Sequence, residues 1–213
     1  TVATLDEILK IQADVDDDTE DEVSGYRQEA IEVYSYTRAV RHAQSLLDRG
    51  LPISSRLMRE AHSRLLFFGR GSDKAPGEYK RDQNYIVDGR NRRVLFVPAS
   101  AEALPNGIAK LEKYINDPEI EPLIQTAIMH AEFEALHPFK DGNGRLGRML
   151  IPLNLWQRKV IHAPHFYVSS AIEERREEYV DRLRSVSERN AWSDWVISRK
   201  RVAATAASGS SAS

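Results

Sequence analysis

Two apolar runs at helical spacing bracket one short, glycine-bearing polar stretch, and this arrangement restricts the fold more than any other feature of the chain. Before the stretch, Leu123, Ile124, Ala127, Ile128, Ala131, Phe133 and Leu136 recur as the buried side of a helix over 122–136. After it, Met149, Leu150, Ile151, Leu153, Leu155 and Trp156 do the same. Between them stands His137-Pro-Phe-Lys-Asp-Gly-Asn-Gly-Arg-Leu-Gly-Arg148. The stretch therefore reads as a loop joining two core helices and opening directly into the second.

The residue types in that loop suit chemistry on a phosphate group. Gly142, Asn143 and Gly144 admit backbone conformations closed to other residues and let main-chain N–H groups converge on an oxyanion. A helix N-terminus adds free donors and the positive end of its dipole. Arg145 and Arg148 are three apart, hence neighbours on one helical face. Each guanidinium offers a planar fork for phosphate oxygens that lysine lacks. Asp141 is a hard oxygen ligand beside a polyphosphate site, the setting for Mg²⁺. His137 offers an imidazole nitrogen that can take a proton from an attacking hydroxyl.

The remainder reads as mainly α with one hairpin. Helices are expected over Thr4–Ile11, Tyr26–Asp48, Ser54 or Ser55 to Phe67, Ala101–Asn116, Asn143–Lys159, Ala171–Glu188 and Ala191–Val202. Asp14–Glu22 is an acidic run that reads as a solvated linker, without the spacing of a calcium loop. Tyr85–Val87 and Val94–Val97 are β-rich and flank Asp88-Gly89, a hairpin signal. The tail from Ala203 is small and polar and reads as disordered.

The loop string resembles, at every defining position, the motif of the Fic/Doc family, His-Pro-Phe-x-(Asp/Glu)-Gly-Asn-Gly-Arg-x-x-Arg. Pro76 through Pro98 resembles the family's flap, a hairpin over the active site. Ser169–Leu183, with Glu173, Arg176 and Tyr179, resembles its helix bordering the nucleotide base. The resemblance implies a Fic-type helical domain over 23–202, preceded by an N-terminal helix and acidic linker at 1–22 and followed by the tail at 203–213. It implies transfer of AMP from Mg-ATP to a Ser, Thr or Tyr hydroxyl of a target protein, with release of pyrophosphate. His137 would be the base and Asp141 the Mg²⁺ ligand. Gly142, Asn143 and Gly144 would cradle the phosphates, Arg145 and Arg148 would bind the β- and γ-phosphates, and Tyr179 would pack on adenine. Pro138 and Phe139 would anchor the loop. The target would dock on the flap around 79–97 as an added strand.

Other readings keep the site and change the donor or product: UMP, GMP or phosphocholine transfer, or phosphorylation. Gly144 argues against the kinase branch, which carries lysine there. A non-enzymatic nucleotide-binding regulator is the remaining class. The opening Thr1–Glu7 resembles the segment that follows the family's inhibitory helix, so a de-repressed transferase is expected, with that helix outside the sequence. A winged-helix module could likewise follow residue 213.

Composition excludes little beyond this. Net charge is −2 and there are no cysteines, which gives no general pull toward nucleic acid and no disulfides. The sequence offers no apolar stretch of membrane-spanning length and no visible signal peptide, so a cytoplasmic location is the expectation. It leaves room for a homo-oligomer. Elsewhere, His130 reads as packing within its helix, Glu132 and Glu134 fall on different faces and form no acid pair, and His162 with His165 lacks a ligand cluster. Lys80, Arg81, Arg90, Arg92 and Arg93 read as solvated loop charges, and Trp192 and Trp195 as core anchors of the last helix.

Overall fold

Helical periodicity governs most of the chain. The computed structural model describes residues 5–14, 25–87, 93–164, 172 and 175–198. Its elements run α1 (Leu5–Asp14), α2 (Gln28–Asp48), α3 (Ser55–Leu65), β1 (Ile86–Val87), β2 (Val94–Phe96), α4 (Leu104–Ile115), α5 (Pro122–Leu136), α6 (Asn143–Gln157) and α7 (Arg176–Arg189). Residues 192–198 are also helical. Expected and observed helices differ at their ends, with α1 reaching Asp14 and α6 stopping at Gln157. The acidic residues after Asp14, the Asp88-Gly89 turn with Arg90 and Arg92, His165, Glu173 and the tail lie outside the described residues.

Packing divides the chain into two compact units. One comprises Thr1–Tyr79 with Phe139–Gly142, the other Lys80–Pro138 with Asn143–Ser213. In the first, Ile11 of α1, Ala30, Ile31 and Tyr34 of α2, and Phe68 form a buried cluster. The Arg38 guanidinium lies over the rings of Tyr34, Phe67 and Phe68, at 5.8, 5.5 and 5.2 Å from their centroids. Such contacts let a charged head rest on aromatic surface. Ser54 caps α3, its hydroxyl accepting from the Leu57 N–H.

In the second unit α5 is the central element. Pro122 sits at its start, where a missing N–H costs nothing, and the Glu121 carboxylate accepts from the N–H groups of Leu123 and Ile124. Its Ala127, Met129, Ala131 and Phe133 are buried, as are Leu146, Met149, Leu150 and Leu153 of α6. Most of each apolar run beside the loop is thus buried, while Leu123, Ile124, Ile128 and Trp156, expected on the buried side, are only half-buried. The β1–β2 pair is antiparallel, with Ile86 opposite Phe96, Val87 opposite Val94, and an irregularity between.

Candidate functional site

The helix α5 ends at His137, whose backbone is left-handed at φ 44 and ψ 60. Only a few per cent of non-glycine residues adopt that region, and it turns the chain sharply out of the helix. Two hydrogen bonds hold the turn from the segment before the hairpin. The Asn84 amide donates to the His137 carbonyl at 3.1 Å, and the Lys80 backbone N–H donates to the Pro138 carbonyl at 2.8 Å.

Lys80 itself is buried, contrary to the solvated charge expected from sequence. Its ammonium donates to Asn84 Oδ1 at 2.6 Å and to the Leu136 carbonyl at 3.2 Å, at the negative end of α5. Two neutral acceptors make burial of this cation tolerable without a carboxylate. Burial still pushes the Lys80 amine down to about 8 from an ordinary 10.5. Between those values the unfolded chain binds the extra proton, so stability rises with pH through that window. The denaturation midpoint of wild type, relative to Lys80→Met, is therefore expected to climb from pH 8 to 10.5. A flat or falling difference would contradict the burial.

In the first unit, the loop residues Phe139–Gly142 are fixed by His62. Gly77 N–H donates to His62 Nδ1 at 2.8 Å, so the ring proton lies on Nε2, which donates to the Asp141 carbonyl at 2.9 Å. The ring stacks on buried Phe139 with centroids 3.7 Å apart. Phe139 is thus an anchor, as expected, and His62 is a partner the sequence did not single out. The Asp141 side chain is part-exposed, with Oδ2 3.9 Å from Arg70 Nε and Oδ1 accepting from Gly142 N–H. Gly142 has φ +75. A side chain there would be strained, and its Cβ would lie 3.1 Å from His62 Nε2.

The glycine turn is narrower than its sequence suggests. Asn143 and Gly144 already belong to α6, and Gly142 alone of the three has positive φ. The backbone N–H groups at this point are therefore those of the first turn of a helix, entered through one left-handed glycine, rather than of a three-residue nest.

In the second unit, His137, Gly144, Arg148 and Tyr179 line one cavity of about 510 Å³. Ile86, Leu95 and Phe96 of the hairpin border it, with Arg176, Val180 and Leu183 of α7. Trp192 lines it too, a correction to its expected place in the core. Among the described residues, Asn143 and Arg145 lie outside the lining; Asn143 is buried at the start of α6. Asp141 and Gly142 belong to the first unit.

Tyr179 is held from behind. His130 Nδ1 faces the Gly147 carbonyl at 3.2 Å, and a carbonyl accepts only from an N–H, so the proton lies there. His130 Nε2 pairs with the Tyr179 hydroxyl at 3.0 Å. His130 also stacks on Trp195 at 6.1 Å. The tyrosine is thus both buried core and cavity wall.

Glu134 is the other residue that sequence reasoning passed over. It makes no acid pair with Glu132, but its Oε2 stands 3.7 Å from His137 Nδ1. The three-residue spacing on one helix was the available signal. Burial works against its ionisation, and His137, His130 and Arg148 outweigh burial, so the carboxyl sits below its ordinary value.

A mainly helical domain with a small hairpin beside a glycine-entered helix N-terminus defines a Fic-type fold. The profile of the Fic/DOC family matches residues 52–155. A Fic family protein from Desulfovibrio desulfuricans has a TM-score of 0.74 and 23% identity, over 98% of this chain and 59% of that one. The family profile, the curated relatives and the structural neighbour together support a Fic family protein. Among curated relatives, a probable protein adenylyltransferase of Aquifex aeolicus is 31% identical over 94 residues, covering 44% of this chain and 27% of that protein. The protein adenylyltransferase Fic of Drosophila melanogaster is 27% identical over 154 residues, 71% of this chain and 28% of that protein. The chain thus spans about a quarter of the length of these relatives. Among the described residues, no helix is long and apolar enough to cross a membrane.

Proposed function

We propose that the chain is a protein adenylyltransferase, moving AMP from ATP to a Ser, Thr or Tyr hydroxyl of a target protein. The observation that carries this reading is the meeting of His137, Arg148 and Tyr179 on one cavity bordered by the hairpin. The target hydroxyl oxygen forms the new bond to the α-phosphorus, and the bond to the departing pyrophosphate breaks. Its proton goes to His137, and the charge gathering on pyrophosphate is met by Arg145, Arg148 and the N–H groups at the start of α6. Tyr179 supplies a wall for the base.

Asp141 suits the role of Mg²⁺ ligand. It is a hard, part-exposed carboxylate, and no cluster of three His, Cys, Asp or Glu able to hold a metal occurs among the described residues. A single protein carboxylate completed by phosphate oxygens is the usual manner of holding Mg²⁺ at a nucleotide. When bound, the ion would neutralise phosphate charge.

The hairpin offers the docking edge for the target. Val87 and Val94 are exposed while their neighbours Ile86, Leu95 and Phe96 border the cavity. A strand added there through main-chain hydrogen bonds would carry its modified side chain toward the nucleotide.

The test is incubation with Mg²⁺ and α-labelled ATP, GTP, UTP or CTP in turn, with intact-mass detection of the protein products. An AMP-sized adduct supports the reading; label from another donor, or none with any target in a lysate, overturns it. Arg148→Ala is expected to weaken ATP binding about 10- to 100-fold, the loss of a charge-assisted contact. Arg148→Lys should recover only part, because lysine lacks the planar fork. Equal ATP affinity in all three proteins, measured calorimetrically, would remove Arg148 from the phosphate site.

A further inference from the structure

Glu134 lies inside the second unit with its side chain 7% exposed. Its Oε1 and the Nδ1 of His137 are both buried, and neither makes a hydrogen bond. A buried carboxylate and a buried ring nitrogen left in that state are each costly, unless they serve one another. The 3.7 Å between Oε2 and Nδ1 is longer than a hydrogen bond, as catalytic contacts often are before substrate binds. The close packing around this carboxylate depends on Gly147, where a Cβ would lie 2.6 Å from Oε1.

The surrounding groups leave Nδ1 to Glu134. His130 on α5 gives its Nδ1 proton to the Gly147 carbonyl, and its Nε2 is taken by Tyr179 of α7. Lys80 is turned to Asn84 and Leu136. Arg148 on α6 lies close enough to favour the carboxylate form of Glu134. The structure assigns Glu134 as a positioning residue for His137: its carboxylate holds the imidazole proton at Nδ1, leaves Nε2 as the proton acceptor, and stabilises the imidazolium once formed. Glu134 stays ionised throughout, and the proton from the target hydroxyl ends on Nε2. This inference rests on His137 being the base, as proposed above.

Nitrogen NMR of the imidazoles in the full chain reads the ring directly, with the His137 signals assigned by their loss in His137→Asn. The expected result is a neutral His137 ring with its proton on Nδ1. A proton on Nε2 overturns the assignment whether or not a Glu134 variant folds. Transfer measured against pH provides the second arm. Glu134→Gln removes the charge while keeping the shape, so the rate should fall about 10- to 100-fold. The rising limb of the pH profile should move about one unit toward acid, because the protonated ring has lost its counter-charge. Glu134→Asp should restore part of the rate. A folded Glu134→Gln protein with the wild-type rate and limb overturns the proposal; a merely structural role would lower stability without moving the limb. Should His137→Asn retain transfer, the base assignment fails, while the NMR arm still decides whether Glu134 governs the ring.

Discussion

Alanine at position 137 is expected to abolish adenylyl transfer almost completely while ATP remains bound. Loss of a positioned general base costs about 10²- to 10⁴-fold in rate. ATP affinity should change little, because the phosphate contacts proposed here come from Arg145, Arg148 and the start of α6. One complication is structural. His137 holds φ 44, a region that disfavours alanine and that asparagine tolerates. His137→Asn is therefore the cleaner variant, keeping the turn between α5 and the loop while offering no proton acceptor of suitable basicity. Both variants should be inactive in single-turnover labelling and both should bind ATP. Transfer retained by the asparagine variant would mean that another group takes the proton. Transfer lost together with ATP binding would mean that the turn had collapsed.

That turn also marks the limit of what the sequence discloses. The apolar spacing of 122–136 and 146–156 locates both core helices, because burial on one face leaves a period in the chain. The glycine-flanked loop is legible for the same local reason: Gly142 does occupy a left-handed position. Which loop residues are already helical is not legible, since Asn143 and Gly144 are poor helix formers that the tertiary context places in the first turn of α6. Lys80 could not be distinguished from its neighbours in a charged stretch. Its burial depends in part on the carbonyl of Leu136, 56 residues away. His62 escaped notice, and Glu134 was set aside as making no acid pair, for a related reason. Each sits in an ordinary helical pattern, and its importance arises only from what the fold sets opposite it. For His62 that is the carbonyl of Asp141, 79 residues on.

Trp195→Ala should produce the largest loss of stability, and with it a weaker nucleotide site. The indole is fully buried, and its Nε1–H donates to the Ala127 carbonyl of α5 at 2.7 Å. Its ring lies 5.8 Å from Tyr179 and 6.1 Å from His130, so it backs the two residues that hold the cavity wall. Truncating a buried tryptophan costs about 3–5 kcal/mol through lost burial and the cavity left behind. For a chain of this length that is a fall in melting temperature on the order of ten degrees. Trp195→Phe separates the contributions: it keeps most of the packing and removes the indole donor, a loss of about 1 kcal/mol. Neither variant alters a proposed phosphate contact. If Tyr179 forms the base wall, Trp195→Ala should therefore weaken binding of ATP and of adenosine alike, below the melting transition, whereas Arg148→Ala should weaken ATP and spare adenosine. An unchanged melting temperature would contradict the burial of Trp195. Unchanged adenosine binding in a folded Trp195→Ala protein would show that Tyr179 keeps its place without this support.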